Sequence, residues 1–250
     1  MRSFGFSTLG CPGLDVDTVL AMARRHGADL VQLRCAPDEP VNTGLSGAGR
    51  ADVVAAFATA GVGFGALATY VKLSDPDMLR PLDEHIALAV DLGAPALRLF
   101  PGDVAVETGT ERLHRAEELA AGTGVVLTVE THDEYLRGAQ IAQLLAETEA
   151  VKAVWDVLHT WRAGETVANS LAALGPYLAE LQIKDVPSAE DRRPLAPGTG
   201  VLPLREALEA VAAAGIEVPV IFEHEAKWRA DADPFEESLA AAVRLAKASG

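Results

Sequence analysis

The chain is poor in cysteine, short of positive charge and free of long apolar runs. Its two cysteines, Cys11 and Cys35, do not form a metal-type pair. Two free thiols in a reducing compartment are expected rather than a disulfide. Lys and Arg number 21 against 36 Asp and Glu, a net charge of -15. A nucleic-acid groove needs clustered Lys and Arg to neutralise phosphates, so that class of partner is excluded. A small anionic substrate, which needs only a few local cations, is not. No stretch approaches a membrane span, and the opening MRSFGFSTLG has too short an apolar run for a signal peptide. The expectation is a soluble, cytoplasmic protein with no membrane partner.

What is present is apolar bulk in a regular order. Hydrophobic residues make up 49% of the 250 residues, enough for a large core. That length suits one (β/α)8 barrel or two small domains. No linker or low-complexity segment divides the chain. Strand-like stretches fall at 4–9, 30–35, 62–70, 95–100, 125–131, 153–157, 179–186 and 219–225. Between them lie helical patterns such as VDTVLAMARRHG, DEHIALAVDLG and LREALEAVAAAG. Strand then helix, repeated eight times, predicts an α/β fold with a parallel sheet. Eight units at this length predict a closed TIM barrel, one domain over 1–250. Gly27, Gly61, Gly93, Gly122, Gly175 and Gly215 stand where left-handed helix C-caps are expected. The longer loops, 36–46 and 186–200, follow strands, on the side where barrels build their sites.

Alternation within the strands assigns their faces. Val31, Leu33, Leu97, Leu99, Leu127, Val129, Leu181 and Ile183 are predicted to face the helices. Gln32, Arg34, Arg98, Thr128, Glu130, His132, Glu180, Gln182 and Lys184 then point inward, with Ile221, Glu223 and Glu225. Barrel interiors are normally packed with Val, Ile and Leu, so polar residues on one parity in five strands predict a hydrated, functional mouth.

Four segments, VVLTVETHD, VKAVWDVLHT, LAELQIKDV and VPVIFEHEAKW, each begin apolar and end polar. Their strand-end residues are Glu130, Asp156, Gln182 and Glu223, at intervals of 26, 26 and 41 residues. Four converging oxygen ligands suit a hard divalent cation, Mn²⁺ or Mg²⁺. Carboxylates packed so closely repel one another unless a cation sits among them. A buried hydrogen-bonded network without metal is the competing interpretation.

At VETHD, WDVLH, QIKD and FEHEAKW the chain resembles the sugar phosphate isomerase/epimerase family of xylose isomerase-like TIM barrels. The resemblance spans all eight units and is strongest from Arg98 to Trp228. It implies metal ligation by Glu130, Asp156, Gln182 and Glu223. Most members have His where this chain has Gln182. An amide oxygen suits Mg²⁺ or Mn²⁺ better than Zn²⁺, and some dehydratase branches carry Gln there. The resemblance also implies that the metal binds a carbonyl and a neighbouring hydroxyl, stabilising the enediolate left by removal of the α-proton. Glu130 and Glu223 are the candidate acid–base pair, with His159 as the alternative and Lys184 as an oxyanion stabiliser.

The resulting expectation is a metal-dependent isomerase or epimerase of a small keto sugar or polyol. The alternative is a hydro-lyase of the inosose or 3-dehydroshikimate dehydratase type. A non-catalytic sugar-binding barrel ranks below both, and a multi-zinc endonuclease of the same superfamily lower still. Substrate binding is assigned to Arg98, Arg34, His132, Trp155 and Glu225. Several of these have structural alternatives. Arg98 and Arg34 either hold substrate oxygens or pair with the acidic mouth. Lys184 is as readily a salt-bridge partner of Glu180, Glu225 or Asp185. Trp155, Trp161 and Trp228 either wall a sugar ring or simply pack. Arg192 and Arg193 sit on a loop expected to be exposed rather than phosphate-binding, and His26, His85 and His114 are expected to face solvent. A homo-oligomer is compatible with the family, but the sequence shows no interface.

Overall fold

The alternating segments fold, in a computed structural model that describes residues 3–249, into eight parallel strands closed into a barrel. The strands are β1 (Phe4–Ser7), β2 (Leu30–Arg34), β3 (Gly63–Lys72), β4 (Ala96–Phe100), β5 (Val126–Glu130), β6 (Lys152–Asp156), β7 (Leu178–Ile183) and β8 (Val220–Phe222). Each pairs with the next, and β1 closes against β8 with Gly5 opposite Ile221. The helices are α1 (Val16–His26), α2 (Gly47–Ala60), α3 (Leu79–Leu92), α4 (Val106–Ala120), α5 (Gly138–Leu145), α6 (Val157–Arg162), α7 (Val167–Leu174), α8 (Leu204–Ala213) and α9 (Phe235–Ala248). The unit after β6 carries two helices, so the repeat is less regular than the sequence suggests. Among the described residues no helix is long and apolar enough to cross a membrane.

The predicted outward residues form the layer between barrel and helices. Val31, Leu97, Leu99, Val129, Leu181 and Ile183 are wholly buried there. Local chemistry ends the helices as expected at Gly27, Gly61 and Gly93, each a left-handed cap whose N–H bonds back to the last turn. Gly175 departs from the prediction. It stays right-handed at φ -48° and continues the turn of α7. Cys11 and Cys35 are buried free thiols, and burial pushes both up to about 12, which keeps them protonated and unreactive.

The polar inward parity also holds, but those groups are closed off rather than lining a wet mouth. Gln32 and Gln182 are fully buried, and Glu180 nearly so. Gln32 donates across the barrel to Glu180 at 2.8 Å, and Gln182 donates to the same carboxylate oxygen at 3.0 Å. Buried polar groups need such partners, and barrel closure supplies them.

Closure also leaves no room at Gly5. A methyl there would sit 2.6 Å from the Leu30 carbonyl oxygen and 2.9 Å from Ile221 Cδ1. Gly5→Ala is expected to destabilise the barrel by about 2 kcal/mol, read as a lower urea midpoint with an unchanged m-value.

Candidate metal centre

Three carboxylates meet where β5, β6 and β8 end. One oxygen from each of Glu130, Asp156 and Glu223 lies within 4.8 Å of the others, and all three residues are buried. Strand register places them. Asp156 pairs with Gln182 across β6 and β7, and Glu223 follows β8, where its N–H bonds the Ile183 carbonyl at 3.0 Å. Asp156 is held at both ends. Its N–H donates to Thr131 Oγ1 at 2.9 Å, and its Oδ1 caps Leu158 N at 2.8 Å. That leaves Oδ2 for the site. Gln182 spends its amide N–H on Glu180. Its Oε1 is buried with no hydrogen-bond partner among the described residues.

The site's own cations are Lys184 and Arg98. Lys184 Nζ lies 2.8 Å from Asp156 Oδ2 and 3.0 Å from Glu225 Oε1, and it also donates to Glu223. Burial works against charge on Lys184, but Asp156, Glu223 and Glu225 outweigh it and hold the pKa well above its ordinary value. Arg98 Nη1 lies 3.1 Å from Glu130 Oε2, with its guanidinium 3.8 Å from the Phe100 ring centre. Burial nevertheless pushes Glu130 up to about 7, against the pull of Arg98 and His132. Burial likewise pushes Glu180 up to about 7, against its bonds from Gln182 and Gln32.

His159 is buried on α6, with Nε2 3.6 Å from Asp156 Oδ2 and neither ring nitrogen hydrogen-bonded among the described residues. Burial, then the Lys184 charge, hold its pKa well below the ordinary value, so it is a neutral imidazole. His132 packs between Phe100 and His159, at ring separations of 4.2 and 4.6 Å, and its Nδ1 lies 3.1 Å from Asp133. Glu130, His132 and His159 make a second ligand-capable triad sharing Glu130 with the first. The imidazole set suits Zn²⁺, whereas the carboxylate set suits Mn²⁺ or Mg²⁺.

Several predicted roles do not survive the packing. Trp155 is fully buried on the outer face of β6, bonded through Nε1 to Thr160, and so cannot touch a substrate. The alternation that turns Asp156 inward turns its neighbour outward. Trp161 packs against the core, and only Trp228 is well exposed, at 58%. Arg34 is buried with Nε bonded to Tyr70 and Nη1 to Asp38 and Glu39, so it pairs with acids at the mouth. Lys184 reaches Glu225 as expected, but not Glu180 or Asp185. Asp185 instead accepts the backbone N–H groups of Val186, Gly198, Gly200 and Leu202, fixing the loop after β7. On that loop Arg192 is exposed and Arg193 pairs with Asp233 at 3.4 Å. His26, His85 and His114 are half-buried and partnered rather than freely solvated.

Sequence reasoning missed Asp133 and His224. Asp133, the last residue of VETHD, joins Lys72, His132 and the Gly102 N–H at φ 50°. His224 is buried against Phe222 and Phe235, and burial lowers it to about 4, so it stays neutral. Its outward parity beside Glu223 was the available signal.

The carboxylate set fits a divalent cation on charge as well as geometry. With every carboxylate ionised, Glu130, Asp156, Glu223 and Glu225 would bring four negative charges against two positive from Arg98 and Lys184, histidines counted neutral. Burial pushes Glu130 up to about 7, so its full ionisation calls for a cation. The unpartnered Gln182 Oε1 supplies a neutral fourth oxygen.

A closed eight-stranded barrel carrying ligand-capable acids at its strand ends defines an enzyme-like class of α/β barrel. The chain belongs to the xylose isomerase-like TIM barrel family, whose model matches residues 20–247. It superposes on D-psicose 3-epimerase with D-tagatose from Clostridium cellulolyticum H10 with a TM-score of 0.81, at 16% identity, covering 100% of this chain and 99% of that one. A probable 3-DHS dehydratase, AsbF, from Bacillus anthracis gives a TM-score of 0.81 at 15% identity, with 99% of each chain covered. Among curated proteins, the uncharacterized protein YihM of Escherichia coli strain K12 is 23% identical over 172 residues, 62% of this chain. The match spans about half of that relative, 52% of its length.

The double donation to Glu180 sets which end of the Gln182 amide is free. Glu180→Gln is expected to weaken Mn²⁺ binding about tenfold, measured by titration calorimetry. In a Gln182→His background the same change should have little effect, because the amide it orients is gone.

Proposed function

We propose that the chain is a divalent-metal-dependent isomerase or epimerase of a small keto sugar or polyol. The observation that carries this reading is the convergence of Glu130, Asp156 and Glu223 within 4.8 Å, beside the unpartnered Gln182 Oε1. Those four residues would hold Mn²⁺ or Mg²⁺. When bound, the metal supplies a Lewis acid that polarises a substrate carbonyl.

The remaining chemistry belongs to the side chains. Glu130 and Glu223 come from strands on different sides of the mouth, β5 and β8. In this reading one takes the proton α to the carbonyl and the other returns it on the opposite face. Lys184 donates to Glu223 and holds its carboxylate in place beside the reacting centre. The same ammonium stabilises negative charge developing on substrate oxygen. His159, neutral and unpartnered, is the further base within reach of Asp156. Arg98 steadies Glu130, and Glu225 and His132 border the substrate.

A hydro-lyase reading is favoured by one residue, Gln182, and by similarity to the AsbF dehydratase fold. It uses the same proton abstraction, followed by departure of a β-hydroxyl. The products separate the two: a stereoisomer of equal mass, or loss of water.

Dialysis after Mn²⁺ loading is expected to leave about one metal per chain, lost in Glu223→Ala. With D-tagatose in D₂O, the loaded protein should incorporate carbon-bound deuterium, and Glu130→Gln should slow this by about 10²-fold or more. Metal retention without deuterium uptake into keto sugars, or water loss from cyclic polyols, would leave a sugar-binding barrel.

A further inference from the structure

One large cavity is not lined by the three carboxylates. It holds about 780 Å³ beside them, between the loops that follow β2 and β3 and the turn that ends in Trp228. That is the size of a pocket for a multi-ring ligand, more than one small keto sugar fills.

Its wall is continuous with the metal centre. Tyr70 and Lys72 line the cavity, and their ring and ammonium lie 6.0 and 5.8 Å from the Phe100 ring centre. Phe100 also meets Arg98 and His132. Trp228 stands three residues beyond Glu225, which bonds Lys184. A ligand with one ring at the carboxylates therefore has room for a second part here.

The charges of this cavity decide what that part is. Arg34 and Lys72 are its cations, with Asp38 and Asp75 as its carboxylates. Arg34 is committed to Tyr70, Asp38 and Glu39, and Lys72 contacts both oxygens of Asp133 at 3.2 Å. His85 is held to the Pro81 carbonyl at 2.6 Å. Among the described residues both cations lining the cavity are already ion-paired, so a phosphate would have to compete with Asp38, Glu39 or Asp133 for its charge-assisted bonds. What is left open is mainly aromatic and apolar, with Asn42, Thr43 and Asp75 at its polar side. Trp228 is 58% exposed and Tyr70 42%, both rings within 5.5 Å of the Arg34 guanidinium carbon that holds them in place. Ala36, Val71 and Met78 add apolar surface. Exposed, pinned aromatic rings in an electroneutral cavity suit the face of a neutral ring.

We infer that this cavity is a subsite for a neutral second ring joined to the reacting sugar, so that the substrate is a glycoside or disaccharide rather than a sugar phosphate. The inference rests on the keto-sugar reading above. The second ring is either another sugar or an aryl group, and both present the same flat, uncharged face.

The test uses the full chain loaded with Mn²⁺ and titration calorimetry. The probes are D-fructose, D-fructose 6-phosphate, the ketose-ended disaccharides lactulose and turanose, and phenyl β-D-glucopyranoside. At least one two-ring probe is expected to bind about tenfold tighter than D-fructose, with the phosphate giving no such gain. Trp228→Ala should remove the gain while Mn²⁺ per chain stays as in the wild type. A gain confined to disaccharides identifies a sugar as the second ring, and one confined to the phenyl glycoside identifies an aryl group. Tightest binding by the phosphate, or no two-ring probe better than D-fructose, overturns the inference. Metal content separates this from failure of the underlying reading: a two-ring preference without retained Mn²⁺ sinks the metal site and leaves the subsite standing.

Discussion

The structure turns on like charges held together out of water. Glu130, Asp156 and Glu223 bring their oxygens within 4.8 Å in a buried mouth, where repulsion is far stronger than at a surface. Lys184 and Arg98 offset part of it from within the chain. The barrel supplies the rest of the restraint. Glu130 and Asp156 end paired strands and Glu223 follows one, so the ladder fixes the backbone from which each carboxylate projects. A site built this way is already arranged for a cation and costs little to reorganise when one binds.

Beneath the acids, the interior uses amides where most barrels use aliphatic side chains. Gln32, Glu180 and Gln182 share one carboxylate oxygen. This layer joins β2 to β7 through the barrel centre. It also leaves the Gln182 carbonyl oxygen without a bond from below. The departure from the family's histidine thus comes with its own support, in the residue two positions earlier on the same face of β7.

Much of this was legible in the chain. Period-two alternation identified which residues of β2, β4, β5 and β7 turn inward, because a strand buried on both faces still alternates in direction. Glu130 and Glu223 followed from the same rule and Asp156 from its place at the end of a strand, and the structure gathers them. Alternation gives direction but not distance or company. It left Arg34 open between holding substrate oxygens and pairing with an acidic mouth, and the β2 loop returns Asp38 and Glu39 onto it. It also failed where it was not applied: Trp155, beside an inward Asp156, had to point outward. Of the Lys184 partners the chain suggested Glu225, which shares its parity, but not Asp156 or Glu223, which only the closed barrel brings onto it.

By itself, then, the sequence determined the barrel, the order of its strands and the residue types at their C-terminal ends. These depend on local pattern, on apolar periodicity and on the chemistry of single side chains. Only the tertiary structure decided which charges are spent on one another and which remain. Gln32 meets Glu180 across 148 residues, and Lys227 meets Asp38 across 189. Such pairs exist only after the barrel closes, because closure alone sets the distances between side chains that local pattern can merely point in the same direction.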